Sequence, residues 1–345
     1  MIFALKTMIP SQVSLFPPLF SLSKEKKRQK ENLKVYAMKF PIADAHCDFL
    51  YGAMEYGYDI NSLRRDQVIH LPYMQQGNVK MQLFACWYDA KLKTPPLQQG
   101  LTMVDCYNRM LKANPIFVPF TRDFDPNGDK IAAVLTIEGG EICEGSLAML
   151  RIFKQLGVKT MTMTWNDNNE LAGAAQARRQ KGLTILGREM LREMNDIGVA
   201  LDVSHLSDDG IRDALEFSTR PIFASHSNAR ALMNAPRCLP DDLIREIALQ
   251  GGVIGVNFYG PHLAPKKTVA IEDIVRHILH IVSIGGVDCC CFGSDFDGMS
   301  VYPRDLKNSS DYPALCEALL KAGFNEEQVS RIAYWNLHRY LSQFV

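Results

Sequence analysis

The residues most able to do chemistry are histidines and carboxylates at the ends of apolar runs. His46 and Asp48 form an H-x-D triplet in Asp44-Ala45-His46-Cys47-Asp48, Glu138 follows the run Ile131–Ile137, His205 closes Asp202-Val203-Ser204-His205, and His226 lies in Ser225-His226-Ser227. Imidazole and carboxylate donors suit zinc, and manganese or cobalt binds the same set. No C-x-x-C pair occurs, so a thiolate zinc knuckle has no support. Residues i and i+2 of a strand point the same way, which lets His46 and Asp48 share one ion. Glu138, buried after an apolar strand, is costly unless it is paired or coordinating, and bridging two cations removes that cost. Two zinc ions per chain, about 3.5–4 Å apart, would hold a hydroxide at neutral pH as a nucleophile. The expected assignment puts His46 and Asp48 on one ion, His205 and His226 on the other, and Glu138 on both. Each histidine alone reads as well as a hydrogen-bonded interior residue, and only their shared register at strand ends favours ligation.

The elements that must position these side chains are short and β-rich. Apolar runs recur at Pro41–Ala45, Val79–Trp87, Ile131–Ile137, Val158–Thr164, Val199–Ser204, Pro221–Ser225, Gly252–Phe258 and Cys289–Ser294. Nearly continuous hydrophobicity is the pattern of parallel strands covered on both faces. Amphipathic stretches such as Leu183–Asp196, Asp241–Gln250 and Ile271–Ile284 separate them, and Glu326–Phe344 reads as a closing helix. Eight alternations predict a single-domain (β/α)₈ TIM barrel with its metal site at the C-terminal ends of the strands. A doubly wound open sheet is the runner-up, yet no G-x-G-x-x-G follows an early strand. At the same mouth the fourth run ends in Trp165-Asn166, the seventh in Tyr259, and the eighth in Asp295-Phe296-Asp297-Gly298. Trp165 and Tyr259 are expected to line the substrate pocket. His277 and His280, spaced i, i+3 on a helix outside the barrel, read as surface polar residues.

Composition narrows the class. In 345 residues, 38 basic and 38 acidic side chains cancel, leaving no net field to draw nucleic acid or an anionic membrane. Nine cysteines are too few for a disulfide scaffold, and a reducing, cytoplasmic setting is the simpler expectation. Residues 1–37 hold two short apolar patches followed by the charged run 24–30, an order opposed to a signal peptide and too short to span a membrane. The expectation is a disordered or non-native extension over 1–37, with Met1 and Met38 both open as the natural start, and a catalytic domain over 38–345.

The segments DAHCD (44–48), IEGGE (137–141), DVSH (202–205), SHSNAR (225–230), NAPRCLPDD (234–242) and GSDFDG (293–298) resemble, in order, those of the membrane (renal-type) dipeptidases, the zinc dipeptidases of peptidase family M19. The resemblance implies hydrolysis of a dipeptide's single peptide bond, with some tolerance of a D-residue at its C-terminal position. It implies that Asp295 is the catalytic acid/base working beside the Glu138 bridge, and that Arg237 binds the substrate's terminal carboxylate. It also implies a homodimer. The chain departs where the family carries a carbonyl-polarising histidine after strand four. Trp165 stands there, and its indole N–H can only donate. No hydrophobic tail for a membrane anchor ends the sequence. Two other readings compete. Amidohydrolase-type enzymes acting on N-acyl, lactone or phosphotriester bonds open with H-x-H and often use a lysine after strand four, where this chain has H-x-D and no lysine. A non-catalytic barrel should have lost ligands, and all five are present.

Overall fold

A computed structural model describes residues 40–64 and 66–345. The proposed extension over 1–37 and both candidate starts, Met1 and Met38, lie outside the described residues. The strands are β1 (Ile42–Asp44), β2 (Val79–Trp87), β3 (Phe117–Pro119), β4 (Ile131–Glu138), β5 (Val158–Thr162), β6 (Ala200–Asp202), β7 (Asn228–Ala229), β8 (Cys238–Leu239), β9 (Ile254–Val256) and β10 (Cys290–Phe292). Their main ladder is wholly parallel and runs β6-β5-β4-β2-β1-β10-β9. The ring closes between β6 and β9 through the run expected as the sixth strand. Phe223 bridges to Asp202 and Ala224 to Ile254, with Val203 N donating to Phe223 O at 2.7 Å and Gly255 N to Ala224 O at 2.8 Å. The fold is therefore the expected barrel, with its sixth position reduced to bridges.

That reduction has a local cause. Pro221 brings no N–H to a ladder, and beyond Ala224 the chain turns in toward its neighbours. A Cβ on Gly255 or Gly293 would stand 1.9 or 1.8 Å from Ser225 O, so the close approach that delivers His226 requires glycine at both positions. β3 was not expected; it pairs only with the first residues of β4, while β5 takes the later ones on the same edge.

Small and large side chains alternate inside the barrel, among them Ala43, Met81, Ala132, Val134, Ala200 and Phe223. The stretch expected as one closing helix is helical over Glu326–Ser330, widens to a π turn over Arg331–Trp335, and resumes over Asn336–Leu341. It seats Tyr334, Leu337 and Tyr340 against that interior, and the Tyr340 hydroxyl donates to Pro221 O at 2.8 Å. The floor of the barrel is thus sealed and chemistry is confined to the opposite end. The outer helices follow the sequence closely. Ile185–Ile197 begins at Thr184, whose Oγ1 accepts from Gly187 N at 3.0 Å. Asp241–Leu249 and Ile271–Gly285 carry acidic residues in their first turns. His277 corrects an expectation. It is fully buried, with Nε2 donating to Leu263 O at 2.9 Å and Nδ1 accepting from Ala229 N at 3.1 Å. It ties this helix to the excursion that carries β7, and both nitrogens are spent.

Candidate metal centre and substrate pocket

Asp44, at the end of β1, accepts from both the N–H (2.8 Å) and the hydroxyl (2.6 Å) of Ser294, locking the first strand to the last at the mouth. Cys47 bridges Phe296 three residues past the end of β1, and at Asp48 the chain leaves the extended conformation to enter the helix Phe49–Glu55. The two side chains nonetheless converge, with His46 Nε2 3.4 Å from Asp48 Oδ2.

Glu138 stands at the centre and divides its carboxylate between two sides. Oε2 is 3.5 Å from His46 Nε2, whereas Oε1 is 2.9 Å from His205 Nε2 and 3.5 Å from His226 Nε2. Asp202, at the end of β6, places the other two histidines. Its Oδ1 accepts from Ser204 N and Ser225 N, both at 2.9 Å. Ser204 Oγ then accepts from His226 N at 3.0 Å, and Ser225 Oγ is 2.8 Å from His226 Nδ1. His205 takes a left-handed φ of 73°, as does Asp295 with φ 66°. Non-glycine residues in this region mark strain of the sort that functional sites retain.

Electrostatics sort the imidazoles. Burial opposes charge on His46, but Glu138 and Asp48 outweigh it and raise its pKa. Burial together with Arg237 lowers His205 to about 4, and burial with His46 and Arg237 lowers His226. Burial likewise disfavours ionised Glu138, yet charged His46 beside it overcomes that and holds the carboxylate ionised. Asn166 Oδ1 lies 2.9 Å from His205 Nδ1 and can only accept, so His205 carries its proton there. Its Nε2 lone pair consequently faces an ionised oxygen at 2.9 Å and His226 Nε2 at 3.0 Å. Buried His46 Nε2 and Asp48 Oδ1 have no hydrogen-bond partner. Converging lone pairs and orphaned buried atoms fit cations. His46, Glu138 and His226, and likewise His46, Asp48 and Asp295, bring ligand atoms close enough to share an ion.

Beside the cluster, burial pushes Asp295 up to about 8, with His46 opposing and Asp48 and Glu138 adding. Asn257 Nδ2 donates to its Oδ2 at 3.0 Å. Asp297 turns away and accepts from Val68 N (2.6 Å) and Ile69 N (3.2 Å), fastening the loop before Leu71. Arg237 is buried, and Nη2 donates to His226 O at 3.4 Å. Its loop is held by Arg230, which forks onto Asp208 and donates Nε to Cys238 O at 2.8 Å. Arg237 and Asp295 border a cavity of about 590 Å³ together with Trp165 and Tyr259. Every residue expected at the site is therefore at one mouth. Asn166, Asn257 and Asp202 had no role assigned from sequence. A lone polar residue beside an apolar run, as in Val256-Asn257-Phe258, was the available signal.

The family model for the membrane dipeptidases, peptidase family M19, matches residues 30–344. This chain belongs to that family. An uncharacterised dipeptidase of Schizosaccharomyces pombe is 31% identical over 92% of the chain and 84% of its own length. Dipeptidase 3 of Mus musculus is 28% identical over 92% of the chain and 67% of its own. Among solved structures, the dipeptidase AC of family M19, a metallopeptidase, superposes with TM-score 0.80 at 25% identity over 88% of the chain and 98% of its own. A metallopeptidase of Rhodobacter sphaeroides, solved with a phosphinate mimic of L-Ala-D-Ala, shares the fold with TM-score 0.80 at 23% identity, over 89% and 99%. The M19 chain is a metal-dependent dipeptidase whose His/Glu cluster is its candidate metal site. Among the described residues no helix is long and apolar enough to cross a membrane.

Proposed function

We propose that this M19 dipeptidase works with two zinc ions bridged by Glu138, His46 and Asp48 holding one and His205 and His226 the other. The observation that carries the reading is the division of Glu138, one oxygen toward His46 and the other toward His205 and His226. When bound, two such ions supply a hydroxide nucleophile at neutral pH and polarise the scissile carbonyl.

The remaining work falls to the chain's own groups. Asp295, oriented by Asn257 and ionised when cations occupy the cluster beside it, takes a proton from the nucleophile during attack and returns it to the leaving amine. Arg237 grips the substrate's terminal carboxylate, which limits productive binding to chains that end one residue past the cut. Tyr259 walls that side of the cavity. Because Arg237 fixes the carboxylate and not the side chain, a D-configured C-terminal residue is also accepted. Trp165 replaces a polarising imidazole by an apolar wall, so the carbonyl has no histidine partner at that position. The test is metal content alongside dipeptide hydrolysis, with L-Ala-L-Ala and L-Ala-D-Ala assayed in parallel. Two ions per active chain, loss of activity to a chelator and its return with zinc are expected. Full activity with one ion overturns the binuclear reading.

A further inference from the structure

The mouth has two walls of opposite character, and strand order places them. Trp87 ends β2 and is the register partner of Glu138. Arg237 comes from the excursion after the sixth strand position, four steps away in a ring of eight, and so faces Trp87 across the centre. Trp87 meets Tyr51 edge-to-face at 4.7 Å and 73°, and Trp165 at 5.0 Å and 62°. Tyr51 is pinned in turn by its hydroxyl, which donates to Asp89 Oδ2 at 3.0 Å, and by Tyr56 at 5.8 Å and 90°. All four rings border the cavity. Neither metal binding nor proton transfer uses any of them.

We propose that Tyr51, Trp87 and Trp165 form a specificity wall that receives an apolar, and best an aromatic, side chain of the dipeptide's N-terminal residue. The inference rests on the dipeptidase reading. With the terminal carboxylate at Arg237 and the scissile bond over Glu138, the N-terminal residue extends toward the β2 side. Rings already locked edge-to-face lose little freedom when a further ring packs on them, and aromatic pairs gain beyond their buried area. A cationic side chain gains less there, because its ammonium would give up water for ring faces alone: Asp89, the carboxylate beside these rings, does not border the cavity.

The experiment measures kcat/KM of the zinc-loaded enzyme for Gly-Ala, Leu-Ala, Phe-Ala and Lys-Ala. Phe-Ala is expected to exceed Gly-Ala by about tenfold or more, the scale that filling an apolar pocket gives, with Leu-Ala between them and Lys-Ala near Gly-Ala. Trp87→Ala should lower the Phe-Ala to Gly-Ala ratio about tenfold, while Trp87→Phe, which keeps a ring and guards against a misfolded alanine variant, should retain most of it. Equal turnover of the four substrates by the wild type, a preference for Lys-Ala, or an unchanged ratio in a folded Trp87→Ala overturns the wall and leaves the dipeptidase reading standing. No turnover of any dipeptide overturns the dipeptidase reading itself.

Discussion

Asn166 Oδ1 accepts the Nδ1–H of His205 at 2.9 Å, and this bond decides which nitrogen His205 offers to the centre. A ligand histidine held by its far nitrogen is fixed in tautomer and in ring orientation together. Asn166→Ala should therefore weaken metal retention by about 10–100-fold, and Asn166→Asp, which still accepts, should retain most of it. Zinc titration against a competing chelating dye measures both. Equal affinity in the alanine variant would show that His205 needs no such hold.

Asp295→Asn should keep the metals and lower kcat by roughly 10²–10⁴-fold, the usual scale for a general acid/base. Metal analysis and kinetics on the same preparation separate the outcomes. A variant stripped of metal, whose remaining holoenzyme is fully active, would reassign Asp295 to coordination.

Arg237→Ala should cost about 2–4 kcal/mol in kcat/KM for dipeptides, in the range for truncating one side of a buried charge pair. The informative design crosses free-acid and C-terminally amidated dipeptides with wild type and variant. Amidation should penalise the wild type heavily and the variant little; equal penalties would remove Arg237 from terminus recognition.

Glu141 makes a prediction about pH. Burial, only partly offset by hydrogen bonds from its own N–H and from Asn169, pushes it up to about 7, and its Oε2 has no hydrogen-bond partner. The native state thus holds this proton more tightly than the unfolded chain. Its contribution is fully present below the unfolded value near 4.5, shrinks as pH rises toward 7, and stays low above that. Glu141→Gln should gain on the wild type by up to about 2 kcal/mol between pH 5 and pH 8. Thermal melts of both proteins across that range check the sign, and a difference that does not change with pH would contradict it.

Much of this was legible because strand ends announce themselves. A charged or imidazole residue immediately after an apolar run is expensive inside a protein, so His46, Glu138, His205 and His226 stood out, and eight such runs fixed the ring that gathers them. What hid was whatever depends on partners distant in sequence. His277 looked like a surface residue because helical spacing does not reveal that Leu263 O and Ala229 N meet its two nitrogens. The sixth run looked like the others, and only the approach of Gly255 and Gly293 to Ser225 O shows why it keeps two bridges and no ladder. Asp297 stands two residues from Asp295 at the end of the eighth run, and only the fold shows that its oxygens accept from the backbone of Val68 and Ile69.

Asp202 was first visible only as part of a motif, but its single oxygen indexes Ser204 and Ser225 together, and the two histidines follow these serines in the chain. Positional error at His205 and at His226 is therefore correlated. A lesion at this carboxylate would move both imidazoles at once, so the site would fail as a unit where independent anchors would have let it degrade in stages.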